Sequence, residues 1–381
     1  MLTRNITTLV LAASLVAPVV HAIEENYVTD EEFANHDYVV NIATPNGRCG
    51  GQLIANKYII TAAHCIDKGT ENYEKILQNQ DGDIDMSLFG DITTYLGSRV
   101  RGEGTAIKAS AITVNPVYIY ERLSLEVITF ENAIREEFDQ SGGLLGDIAI
   151  ITLESPYLNQ TAAKLQNNDL FREKNDSGDT LIHQDAPATW IGWGVLEDGS
   201  SSLNAKTRSV MFNPHSKYVY DDITYDARLS YSIFDSTHYT TTDGGATASA
   251  GDSGTPVIVN NKVQGYWMSG RFGSINSSST RNAYHLNWIA SQINSVNTIG
   301  QVRAEFEGET SLSKTWTIPV QSLMIDDVSF TPYIDDDSGL FIISESNCDG
   351  TFSTGEDCDI TISFNPNKDS VTGNIKSKLI L

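Results

Sequence analysis

Cysteine is scarce in this 381-residue chain. There are four, Cys49, Cys65, Cys348 and Cys358, and neither close pair has the C-x-x-C spacing of a zinc or redox site. Of the three connectivities that four cysteines allow, pairing neighbours, Cys49 with Cys65 and Cys348 with Cys358, is the simplest and is the expectation. Positive charge is also in short supply: 25 Lys and Arg stand against 49 Asp and Glu, a formal charge of −24. Such a surface repels nucleic acid and anionic lipid, so polyanionic partners are excluded. Beyond the amino terminus no apolar run approaches the roughly eighteen residues that a membrane-spanning helix needs, so no stable membrane span is expected. Internal repeats and low-complexity tracts are missing, which excludes solenoids and fibrous arrays.

What is present begins with Met1 to Ala22, where Arg4 precedes an apolar run from Leu9 to Val20 and the small residue Ala22 follows. That is the pattern of a cleaved secretory signal, so residues 1–22 are predicted to be removed and the mature chain to be secreted, extracellular or periplasmic in transit. Export permits disulfides.

The length suits more than one folding unit. From Tyr38 to Ile293 short β-rich runs recur, among them Tyr38-Val39-Val40-Asn41-Ile42, Tyr58-Ile59-Ile60, Ile148-Ala149-Ile150-Ile151 and Val257-Ile258-Val259, separated by Gly, Asn and Asp. Many short strands between turn signals predict an all-β, antiparallel architecture. Leu286, Trp288, Ile289 and Ile293 stand at helical spacing and predict one amphipathic helix at the end of this unit. Residues 66–106 and 120–142 lack strand periodicity and read as surface insertions, with a short helix over Ser124 to Phe138. Past a boundary at 297/298, the runs Trp316 to Val320, Phe341 to Ile343 and Ile360 to Phe364 predict a small β-sandwich over 298–381.

Three segments carry chemistry. Ala250-Gly251-Asp252-Ser253-Gly254-Thr255-Pro256 sets a serine in a glycine-flanked turn before an apolar strand, where glycine lets a substrate carbonyl approach the backbone. Thr61-Ala62-Ala63-His64-Cys65 ends a strand with a histidine, a base that can accept and return a proton near neutral pH. Gly146-Asp147-Ile148-Ala149-Ile150-Ile151 opens an apolar strand with an aspartate. Each alone is an ordinary turn, core histidine or strand cap. An α/β-hydrolase is set aside, because the order is His, Asp, Ser and the fifth position of Gly251-Asp252-Ser253-Gly254-Thr255 is threonine rather than the elbow's glycine.

Together and in this order, the three runs resemble those of the chymotrypsin and trypsin family of serine proteases. Cys49-Gly50-Gly51-Gln52-Leu53-Ile54 and Ile191-Gly192-Trp193-Gly194 support the resemblance, which covers roughly residues 23–295. It implies two six-stranded antiparallel β-barrels closed by a C-terminal helix, with Ser253 as nucleophile, His64 as general base and acid, and Asp147 orienting the imidazole in a serine endopeptidase. It further implies an oxyanion hole from the backbone N–H groups of Gly251 and Ser253, protein or peptide substrates, and no metal or organic cofactor. A rival reading is a catalytically silent protease-fold binding protein or adhesin.

Cleavage after Ala22 would free Ile23, whose ammonium the resemblance pairs with Asp252 as an activation pair. The primary specificity pocket is expected at Thr247 and Gly270, and a neutral Thr247 favours uncharged side chains before the scissile bond. Ser249, Thr255 and Met268-Ser269 depart from the family's usual residues at their positions. Asp81-Gly82-Asp83-Ile84-Asp85 reads as a solvated acidic turn rather than a calcium loop, since it lacks the central glycine and distal glutamate. The region around Cys348 to Cys358 and Phe364-Asn365-Pro366 resembles immunoglobulin-like domains of bacterial exported proteins. Such a domain serves as a stabilising appendage or docks to envelope, secretion machinery or substrate, and the residues do not choose between these.

Overall fold

The structure, a computed structural model, describes residues 27–67, 86–116, 118–119, 146–160, 163–167, 186–195, 200–212, 218–220, 223–225, 239–240, 250–259, 261–270, 276–302, 313–336, 338–366 and 375–381. Six strands, β1 (Val39–Thr44), β2 (Gly47–Ile54), β3 (Tyr58–Thr61), β4 (Thr93–Leu96), β5 (Thr105–Val114) and β6 (Ala149–Leu153), close into a barrel in the order β1-β2-β3-β6-β5-β4. Every pairing in it is antiparallel.

The barrel explains why these strands read as nearly continuous apolar runs. Successive side chains alternate faces, and here both faces are covered. Val40, Ile42, Ile59 and Ile151 fill the barrel interior, while their neighbours Val39, Ile60 and Ile150 join a second core that also holds Ile191, Trp193, Ile258 and Leu286.

Residues 66–106, which the sequence led us to expect as a surface insertion, are not wholly one. They contain β4, which closes the barrel between β1 and β5, and the first residues of β5. Their signal was weak because the inward positions of this four-residue strand are Thr94 and Leu96. Thr94 is tolerated inside because its hydroxyl donates to the Ile107 carbonyl at 2.8 Å. Ser124 to Phe138 lies outside the described residues.

The second half contributes a seven-stranded sheet. Its order is β12 (Tyr239–Thr240), β15 (Asn276–Arg281), β14 (Lys262–Gly270), β13 (Pro256–Val259), β8 (Ala186–Gly192), β9 (Lys206–Phe212), with β7 (Lys164–Leu165) parallel to β14. β10 (Tyr218–Tyr220) and β11 (Ile223–Tyr225) form a separate hairpin. The helix Asn282–Ile293 follows where the apolar spacing placed it, and Leu286, Ile289 and Ile293 enter the second core.

The C-terminal part is again β-rich. A four-stranded sheet runs β16 (Ser295–Thr298), β17 (Lys314–Leu323), β22 (Asp357–Phe364), β20 (Phe341–Ser346), flanked by the pairs β18 (Val328–Phe330) with β21 (Gly350–Phe352) and β19 (Tyr333–Asp335) with β23 (Lys378–Ile380). Ile318, Val320, Ile360 and the disulfide Cys348–Cys358 form its core.

This part is fastened to the body by polar groups. The Gln321 amide accepts from the Leu165 N–H at 2.8 Å and donates to the Leu165 carbonyl at 2.6 Å. Asp357 takes Lys164 at 2.8 Å and Lys262 at 2.6 Å. Among the described residues no helix is long and apolar enough to cross a membrane.

Candidate active site

His64 lies in a single 3₁₀ turn, Ala63–Cys65, directly after β3. The disulfide Cys49–Cys65 ties that turn to β2, as the neighbour pairing anticipated. Asp147 stands two residues before β6, and because β3 pairs with β6 through Thr61 and Ala149, the register delivers the carboxylate beside the histidine.

Asp147 is 2% exposed. Its Oδ1 accepts the His64 backbone N–H at 2.8 Å and its Oδ2 meets the ring Nδ1 at 2.7 Å. A carboxylate only accepts, so in a neutral imidazole this contact calls for the tautomer with its proton on Nδ1 and its lone pair on Nε2. The imidazole is half-buried, its side chain 35% exposed, so one edge faces outward while the carboxylate behind it is dry.

The Ser253 turn needs its glycines. Gly251 has φ +99° and Gly254 φ +82°, both in the region that favours glycine. A Cβ on Gly254 would also collide with the Gly50 carbonyl and the Thr61 hydroxyl. These close approaches accompany the bonds that join the turn to the barrel. The Gly50 N–H donates to the Ser253 carbonyl at 2.8 Å, and the Gly50 carbonyl accepts from the Thr61 hydroxyl at 2.8 Å, three residues before His64. The Cys65 sulfur sits 3.7 Å from the same Ser253 carbonyl. The histidine turn and the serine turn thus share one set of backbone contacts.

Asp252, 1% exposed, accepts the Gly194 N–H on Oδ1 at 2.5 Å. Sequence reasoning noted Thr255 as a departure but gave it no task. Its hydroxyl receives the Trp190 indole N–H at 2.6 Å and donates to the Asp252 carbonyl at 2.6 Å, bracing the turn from below. Only an alignment of side chains across β8 and the turn reveals that pairing, since 65 residues separate the two.

Lys206 was also missed in the sequence. It is 5% exposed with its Nζ 3.3 Å from the Gly194 carbonyl, and nothing in the run Asn204-Ala205-Lys206-Thr207 marks it as internal. Gly270 ends β14, paired with Ser277. Ile23, Thr247 and the acidic run Asp81 to Asp85 lie outside the described residues.

The arrangement provides a half-exposed base, oriented by a buried carboxylate, attached to a serine turn through shared backbone bonds. The Trypsin family model matches residues 28–96 and 110–289. Among curated relatives, a trypsin of Saccharopolyspora erythraea is 27% identical over 241 residues, covering 62% of this chain and 82% of its own. The trypsin Blo t 3 of Blomia tropicalis is 27% identical over 256 residues, covering 63% of this chain and 75% of its own. Among solved structures, the VesB protease of Vibrio cholerae aligns over 91% of this chain and 90% of its own with a TM-score of 0.45 at 18% identity. The secreted serine protease VesC of the same organism covers 93% of this chain and 66% of its own, with a TM-score of 0.43 at 20% identity. The family match spans well over half of the sequence and includes all three candidate residues, so this chain belongs to the trypsin family and is a serine endopeptidase.

Proposed function

We propose that the protein is a secreted endopeptidase that cleaves peptide bonds through Ser253, His64 and Asp147 by way of an acyl-enzyme. The observation that carries the reading is the two-point hold of Asp147 on His64, which supports a tautomer with its proton on Nδ1 and Nε2 as the base. In the first step the Ser253 hydroxyl oxygen attacks the substrate carbonyl while His64 Nε2 takes its proton. Charge that builds on the carbonyl oxygen is met by the N–H groups of Gly251 and Ser253, and Asp147 stabilises the imidazolium. His64 then protonates the leaving amine, and a water, activated by the same nitrogen, releases the acid from Ser253. Silent binding proteins of this fold generally lack a triad member, whereas Ser253, His64 and Asp147 are all present.

Several finer assignments belong to the same proposal. The seven-stranded sheet is the second barrel of the enzyme, the protease domain spans 23–297, and 298–381 form an immunoglobulin-like sandwich whose sheet begins with Ser295–Thr298 at the junction. Residues 1–22 direct secretion, Ile23 becomes the activating terminus opposite Asp252, and Thr247 with Gly270 forms a pocket for uncharged side chains. The test is digestion of a peptide library by the protein starting at Ile23 and by its Ser253→Ala variant, read by mass spectrometry. Cleavage confined to the parent enzyme is expected; equal cleavage by both would refute the triad.

A further inference from the structure

Arg48 and Arg101 bring two positive charges together beside the serine turn. Arg48 lies in β2 directly before Cys49 and is exposed. Its guanidinium stands over the Tyr95 ring, 5.5 Å from the centroid, and its Nη1 donates to the Asn41 amide oxygen at 3.4 Å. Both partners are neutral, so they orient the group and leave its charge standing. Its Nη2 reaches toward Gly102, where an added Cβ would meet it at 3.9 Å. Gly102 adjoins Arg101, which is half-buried and whose pKa is pushed down by burial and by the charge of Arg48. Among the described residues neither guanidinium lies within ion-pair distance of a carboxylate. Arg99 makes the contrast, bonded to Asp30 at 2.6 Å and to Asn204 at 3.0 Å. In a chain with 49 acidic and 25 basic residues, two neighbouring cations that repel each other are out of character.

Their place matches the departing half of a substrate. With Ser253 and His64 as nucleophile and base, His64 Nε2 hands its proton to the leaving amine, so that amine lies against the imidazole. The Cys65 sulfur is 4.0 Å from His64 Nε2 and is bonded to Cys49, the neighbour of Arg48. A Cβ on Gly251, beside the nucleophile, would come 3.8 Å from the Arg48 carbonyl oxygen. From the imidazole across the disulfide to the Arg48 side chain is roughly 10 Å, the span of about three extended residues.

We propose that Arg48 and Arg101 form an acid-recognising subsite on the leaving side of the scissile bond, selecting Asp or Glu at the second or third residue after it. The proposal rests on the reading of Ser253 and His64 given above. A carboxylate seated between the two guanidinium groups relieves their repulsion and accepts charge-assisted hydrogen bonds, and the planar fork of arginine suits its two oxygens. The overall charge of −24 disfavours acidic sequences in general, so the arginine pair makes one stretch of the substrate the exception.

The test assays the enzyme starting at Ile23 on peptides that share one acyl half, taken from a sequence it cleaves, and carry Glu, Gln or Lys at the second and third residues after the bond. A nitroanilide of the same acyl half, which has no residue on the leaving side, is the control. Wild type is expected to cleave the Glu peptide about tenfold better than the Gln peptide in kcat/KM, the Lys peptide worse than either, and to lose part of this gap at high salt. Arg48→Gln combined with Arg101→Gln should bring the Glu and Gln peptides within about twofold, while nitroanilide turnover does not follow that ratio. Arg48→Glu should turn the preference toward Lys. Equal cleavage of the Glu and Gln peptides by wild type overturns the proposal, a comparison independent of whether any variant folds. So does a Glu preference that survives the double substitution, or a loss of nitroanilide turnover in step with the peptides, which would mark the arginines as supports of the fold. Absence of Ser253-dependent cleavage of every substrate by wild type would instead remove the triad reading, and the subsite with it.

Discussion

Asp357 offers the sharpest test of how the C-terminal part is held. It lies in β22 with its side chain 18% exposed, gripping Lys164 at 2.8 Å and Lys262 at 2.6 Å, while Lys164 also reaches Asp359 at 2.9 Å. Both lysines belong to the body. Replacing Asp357 with Asn keeps the shape and one acceptor but removes the charge between two ammonium groups. Exposed ion pairs contribute about 0.2 to 1 kcal/mol, whereas breaking a fully buried pair costs about 3 to 5 kcal/mol. With the lysine side chains 16% and 29% exposed, the network lies between these limits, and the expected loss is about 2 kcal/mol at neutral pH.

The pH dependence follows from the same contacts. Burial pushes the Asp357 carboxyl up, but the hydrogen bonds and charges of Lys164 and Lys262 outweigh it and hold the group below the usual aspartate range. A depressed carboxylate contributes stability that is fully present above its unfolded pKa, about 3.9, and is lost as pH falls through the folded value. Urea unfolding of the full chain, followed by tryptophan fluorescence for wild type and Asp357→Asn, should show the full gap at pH 7 and its closure below about pH 4. A gap under about 0.5 kcal/mol, or one unchanged down to pH 3, would refute the argument and class the cluster with ordinary surface pairs.

Three further outcomes are expected. Asp147→Asn should lower kcat by on the order of 10⁴ with little change in KM, because an amide favours the wrong imidazole tautomer; steady-state kinetics on one peptide decide it. Gly254→Ala should cost about 2 to 4 kcal/mol in stability, combining backbone strain with the collision against Gly50 and Thr61, and should remove most turnover; a variant with normal melting and kcat would contradict the packing described. Gln52 is fully buried and neither of its amide atoms has a hydrogen-bond partner among the described residues, so Gln52→Met should stabilise the fold by about 1 kcal/mol in chemical denaturation. Destabilisation by that substitution would show that the amide is satisfied internally.

Much of this was legible in the chain because it rests on local rules. Short, nearly continuous apolar runs marked β1, β3, β6 and β13, helical spacing marked Asn282–Ile293, and short cysteine separations marked the two disulfides. The glycines around Ser253 announced a turn that only they can adopt, since positive φ and close backbone approach are properties of single residues. Strand β4 stayed hidden because four residues with an inward threonine give too little periodicity.

What the sequence determined by itself is therefore the set of reactive groups and the elements that carry them. The tertiary structure decided which groups meet: the register of β3 against β6 that brings Asp147 to His64, the indole of Trp190 on Thr255, and the burial of Lys206 beside the Asp252 segment. These depend on side chains from strands tens of residues apart packing at van der Waals distance. No local pattern encodes that, because burial and charge pairing exist only once the sheets have closed on one another.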